Sequence, residues 1–168
     1  MNDLLARLIA TGFYSGQTHH LPDLGRTGSG KRIRVNYAGT WGTIPAWLIA
    51  YFLMGGHQTA LAAASIVTFV LSIWSAGIAE KTYGHDARKI VIDEWAGMFI
   101  SVIMVPFSLP NYIIAFVAFR VFDVAKIPPA RQCEKLPGGL GITMDDVVAG
   151  IQANILLQVL IRVLHVNL

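Results

Sequence analysis

The chain has 168 residues, of which 54% are hydrophobic and 14% charged, with a mean hydropathy of +0.55. An ordinary globular domain carries about 25% charged residues, so too few are present to clothe a soluble globule of one domain's length. A net charge of +3, from 13 basic and 10 acidic residues, is no nucleic-acid footprint, and the single cysteine, Cys133, excludes an intrachain disulfide framework and a cysteine-based zinc site.

Residues 1–37 are read as a short N-terminal helix and a basic loop. Asp3 and Arg7 interrupt the start and no cleavage pattern follows, which argues against a secretory signal. Leu4, Leu5, Leu8 and Ile9 form one face of a helix at the membrane interface, or of a simple capped terminal helix. Gly25–Lys31 satisfies G-x-x-x-x-G-K, but Arg32 stands where a P-loop needs Ser or Thr. No apolar strand precedes it and no helix opens after it. No nucleotide is expected at 25–31, and a basic loop near anionic lipid is the preferred reading.

No Asp, Glu, Lys or Arg occurs between Val35 and Ala79, between Trp95 and Phe119, or between Val147 and Ile161. Gly55-Gly56-His57-Gln58 divides the first gap into Trp41–Met54 and Thr59–Ala79. The second of these is about 31 Å long as a helix, enough to cross a bilayer. Pro106–Asn111 breaks the next gap into either a shallow hairpin of two short helices or one kinked span. The last span runs from Val147 to about Val166. The expected fold is therefore all-α: one domain over 1–168, an integral membrane bundle of about five apolar spans. Segments 1–40, 80–94 and 120–146 then share one side with every Lys and Arg except Arg162, the side assigned to the cytoplasm. A four-span count loses that asymmetry.

Acids gather at the span ends as Asp93-Glu94, Asp123 and Asp145-Asp146. At a bilayer centre each costs about 2.5–3.5 kcal/mol, so they belong at headgroup level or around a cation. Hard divalent ions bind carboxylate oxygens, and magnesium recruits substrate phosphate as a further ligand. Capping of helix starts explains one acid per helix, but not two consecutive acids at each of two starts. Arg120, Asp123 and Lys126 recur every third residue before Pro128-Pro129, placing a carboxylate and two cations close to one helix face. That set suits a phosphate site, with an ion-pair ladder as the plainer alternative. Gly97 and Gly150 lie four residues after Asp93 and Asp146, where they let helices approach closely. Pro137–Gly141 reads as a mobile turn before the last acidic pair.

The blocks Ala38–Thr43, Ile90–Gly97, Phe119–Lys126 and Gly138–Gly150 together resemble the phosphatidylglycerophosphatase A family, over about residues 38–160. The resemblance implies a magnesium-dependent enzyme of the bacterial cytoplasmic membrane that hydrolyses phosphatidylglycerophosphate to phosphatidylglycerol and phosphate. Two departures stand out: Ala38 occupies a usual proline position, and Ile127 separates Lys126 from the prolines. Segment 17–36 looks like an insertion.

The expected catalytic set is Asp93, Glu94, Asp123, Lys126, Asp145 and Asp146, with the five acids around magnesium on the cytoplasmic side. Arg120, Lys126, Arg88 and Thr40 are expected to hold the substrate phosphate. Water or a carboxylate serves as nucleophile; the sequence leaves both open, along with the oligomeric state. Two rivals remain: another phospholipid-headgroup enzyme such as a CDP-alcohol transferase, whose spaced acidic array is missing here, and a small cation carrier, which needs its acids near the midplane.

Overall fold

The computed structural model describes residues 2–13, 37–83 and 90–163, and their regular structure is all helical, as expected. The helices are α1 (Asn2–Ala10), α2 (Tyr37–Leu48), α3 (Gln58–Tyr83), α4 (Ile92–Ser101), α5 (Leu109–Ala125), α6 (Ala130–Cys133) and α7 (Gly139–Gln158). Pro45 lies inside α2, and four residues later the helix widens into a π turn over Ile49–Leu53. A proline has no N–H to give the ladder, and such widening commonly accommodates the gap. A similar turn, Val159–Val163, ends α7.

Helices α2, α3, α4, α5 and α7 run alternately between two ends of the bundle. At one end the Gly56 backbone lies against Phe107, Gln58 Oε1 accepts from the Met104 N–H at 2.7 Å, and Arg162 donates to the Met104 carbonyl at 3.1 Å. At the other end Gly39 backs onto Glu94 and Arg120, and Lys126 meets Asp145. Segments Gln58–Thr82 and Gly139–Val163, 25 residues each, are long and apolar enough to cross a membrane. Outward side chains on three helices are apolar, including Ile66 and Val67 of α3, Val121 of α5 and Ile155 of α7, all more than half exposed.

Region 95–119 holds two helices, not one kinked span. Ser108 starts α5 by accepting the Asn111 N–H at 3.2 Å, with Pro110 in the first turn. Helix α4 is only about 15 Å long and is sheathed by its neighbours. Met98, Phe99 and Val102 pack among Ala46 of α2, Ala50 of the π turn that follows it, Leu61 of α3, Phe119 of α5 and Ala153 of α7. Its free C-terminal carbonyls are met by Asn154 of α7, whose Nδ2 lies 2.6 Å from the Ile103 oxygen and 3.1 Å from that of Ser101.

The glycine reading holds. Gly97 and Gly150 face each other where α4 crosses α7, and a Cβ on Gly150 would strike the Gly97 backbone. The expected turn at Pro137–Gly141 is corrected: α7 already begins at Gly139, behind a Gly138 cap with φ +64°. Asp145 and Asp146 therefore occupy the second turn of α7, not its start, and capping does not account for them. Gly139 is needed because α7 begins pressed on the Ile73 carbonyl and Gly77 of α3, where Ser72 and Thr143 share a buried hydrogen bond of 2.7 Å. Helix α1 is present, but Ala6 and Ala10 face inward while Leu4 and Leu5 face out. The Val91 N–H donates to the Ala10 carbonyl at 2.8 Å, so α1 abuts the start of α4. The basic loop and its 25–31 stretch lie outside the described residues.

Candidate active site

Four helix ends supply the site. Asp93 and Glu94 lie in the first turn of α4, where Glu94 N–H donates to Asp93 Oδ1 at 3.0 Å. Free N–H groups favour carboxylates there. Arg120 and Asp123 come from the last turns of α5, whose helix stops at Lys126 in the left-handed region, φ +47°. That stop swings Lys126 off the ladder and towards α7. Asp145 and Asp146 come from α7, and Gly39 from α2.

These residues, with Ile90 and Val124, line one cavity of about 290 Å³. All five predicted acids and both described predicted cations, Arg120 and Lys126, converge on it. Arg120 Nη1 lies 2.6 Å from Asp123 Oδ2 and 3.3 Å from Glu94 Oε1. Lys126 Nζ bridges Asp145 Oδ2 at 2.9 Å and Glu134 Oε1 at 2.8 Å. The predicted ladder is thus split. Arg120 and Asp123 pair along α5, whereas Lys126 ties its end to α7.

Two neighbours of these side chains escape the sequence pattern. Thr43 is fully buried, with its hydroxyl 2.7 Å from Glu94 Oε2, 2.7 Å from the Gly39 carbonyl and 3.4 Å from Arg120 Nη1. Glu134 is the second partner of Lys126. Thr40 is half-buried and does not line the cavity; Thr43, nearly one turn on, stands behind the lining and contacts Glu94 and Arg120. Arg88 lies outside the described residues.

Burial pushes the Glu94 carboxyl up to about 7, against the pull of Arg120 and Thr43 and with the push of Asp123. A single hydroxyl proton on Thr43 serves only one of its two acceptors. The contact is satisfied in full when Glu94 carries a proton of its own.

The carboxylates outnumber the cations. Asp146 is 4% exposed, and among the described residues neither a hydrogen bond nor a salt bridge reaches it. A carboxylate in that state is costly as a charge, and an all-oxygen donor set of excess negative charge is of the kind that suits a hard divalent cation. As placed, the acids turn to Arg120 and Lys126, and no three of His, Cys, Asp and Glu form a ligand group among the described residues. The donor set fits magnesium in kind and in charge.

A family model described as phosphatidylglycerophosphatase A matches residues 8–161. A phosphatidylglycerophosphatase A of Haemophilus influenzae is 33% identical over 154 residues, covering 87% of this chain and 82% of that protein. The Escherichia coli protein of the same name is 31% identical over 147 residues, covering 86% and 76%. A Bacteroides thetaiotaomicron protein provisionally named phosphatidylinositol-3-phosphatase is 38% identical over 149 residues, covering 83% and 92%. No solved structure matches the chain.

Proposed function

Because the chain belongs to the phosphatidylglycerophosphatase A family, we propose that it hydrolyses phosphatidylglycerophosphate to phosphatidylglycerol and phosphate, using magnesium, in the cytoplasmic membrane. The observation that carries this reading is the gathering of five acids and two cations, distant in sequence, in one cavity at the end of an apolar bundle. Acids placed at or near the helix ends, with no line of carboxylates through the bundle among the described residues, favour a phosphatase over a cation carrier. The five helices form the membrane bundle, with the cavity on the cytoplasmic side together with the basic segments.

Arg120 and Lys126 bind the phosphomonoester oxygens, exchanging their present carboxylate partners for the substrate. Asp93, Glu94, Asp123, Asp145 and Asp146 would hold the metal, whose positive charge would offset the charge of the phosphoryl group. The buried walls, Ile90 and the α4 core, keep bulk water from the paired charges. The reaction consumes one water, breaks the P–O ester bond and releases an alcohol and a phosphate.

Phosphate release by the purified protein in mixed micelles tests this. Turnover of phosphatidylglycerophosphate with magnesium, its loss with chelator, and its loss in Asp93→Asn and Asp145→Asn are expected. Phosphatidylinositol 3-phosphate forms the second arm, since one relative carries that name. Preference for it overturns the substrate assignment, and magnesium-independent turnover overturns the metal.

A further inference from the structure

One wall residue of the cavity is unlike the rest. Val124 lines it beside Arg120 and Asp123, yet is apolar and 72% exposed. It ends a row on the outer face of α5 formed by Ile113, Val117, Val121 and Val124, each at least 46% exposed. At about 100° per residue, these four fall within about 100° of the Arg120 direction and all to the same side of it. The row is about 16 Å long and is unbroken by any polar side chain. Exposed apolar faces on α3 have no such ending, since no α3 residue lines the cavity.

We propose that this α5 row is the seat of the substrate's acyl chain, which guides a lipid phosphate sideways from the bilayer into the cavity past Val124. The inference rests on the phosphatase reading and adds a binding surface to it. A chain lying along Ile113–Val121 brings its headgroup to the level of Arg120 and Lys126, so apolar contact and phosphate pairing are made by one molecule. Burying a chain on β-branched side chains stabilises it in proportion to the apolar area removed from solvent. A phosphomonoester with no acyl chain has only the cavity.

The test compares Val117→Trp/Val121→Trp with the matched pair Ile66→Trp/Val70→Trp on the outer face of α3. Hydrolysis is measured on phosphatidylglycerophosphate in mixed micelles and on its deacylated, water-soluble counterpart. The α5 pair is expected to raise KM for the lipid about tenfold, equivalent to about 1.4 kcal/mol, and to leave the deacylated substrate unchanged. The α3 pair is expected to change neither. Independently, a lipid phosphate with a photoreactive acyl chain should label α5 peptides in preference to α3 peptides. Equal effects of the two pairs, or equal labelling, overturn the seat while leaving the phosphatase intact. Failure of the wild-type protein to hydrolyse either substrate overturns the phosphatase reading itself.

Discussion

The hydroxyl of Thr43 lies 2.7 Å from Glu94 Oε2, joining α2 to the polar tip of α4 across the cavity wall. The same oxygen is 3.4 Å from Arg120 Nη1, so one side chain touches both an acid and a cation of the site. Thr43→Val keeps the shape and removes the hydroxyl, leaving Glu94 buried with a partner missing. Leaving a buried acceptor without its partner costs about 1–3 kcal/mol, so kcat is expected to fall by roughly tenfold. Thr43→Ser is expected to restore it. Equal losses in both variants, measured as kcat and KM with a thermal midpoint for each, point to packing and not to the hydroxyl.

The α4–α7 crossing sets the distance between two acidic pairs. Gly150→Ala drives a methyl into the Gly97 backbone, and overpacking of this kind costs about 1–3 kcal/mol. A thermal midpoint lowered by several degrees and reduced turnover are expected together. Gly77→Ala is the control, because its new Cβ comes only within 3.4 Å of Gly139 N, a tolerable contact. An indifferent Gly150→Ala refutes the idea that close approach of these helices assembles the site.

The acids were legible in the sequence because charge is scarce and each pair borders an uncharged run. The Gly97 and Gly150 contacts were legible for a related reason: helical spacing puts each on its acid's face. Thr43 was not, since a lone hydroxyl in an apolar helix is usually satisfied by its own backbone. Here it does reach the Gly39 carbonyl, and only the packing of α2 on α4 adds Glu94. Pro137-Gly138-Gly139 signals a break locally, yet α7 starts at Gly139. Its glycines instead answer to tertiary crowding, against Ile73 of α3 and the Leu136 carbonyl, which overrides propensity. The break at Pro106–Asn111 makes two short helices one of two readings of this run, and the structure selects it, because the sheathing of α4 by its neighbours lets a helix too short to cross a bilayer remain apolar.

Cys133 gives a direct reading of orientation. It is the single thiol, half-buried on α6, between Lys126 and the start of α7 at the polar end of the bundle. A membrane-impermeant maleimide is expected to label it in inside-out vesicles and to spare it in right-side-out vesicles. The opposite pattern turns the cavity away from the cytoplasm and removes the positive-inside argument for its placement.

Asp146 separates stability from function most sharply. Its carboxylate is buried on α7, and the charges of Asp123, Asp93, Asp145 and Glu94 all bear on it with the same sign. Without a metal this is a cost to the fold, because a buried charge among like charges has lost its water and gained repulsion. Asp146→Asn preserves the shape and removes the charge. In chelator the variant is expected to melt higher than the wild-type protein, by an amount on the order of 1–3 kcal/mol in stability. Adding magnesium is expected to raise the wild-type midpoint, since an ion that binds only the folded state stabilises it by mass action. The variant should show little of that rise and no phosphate release. Such a crossing of the two melting series marks Asp146 as a residue kept for the cation at the expense of the apo fold. Parallel series, with the variant lower in both conditions, instead make Asp146 an ordinary structural acid and take it out of the metal set.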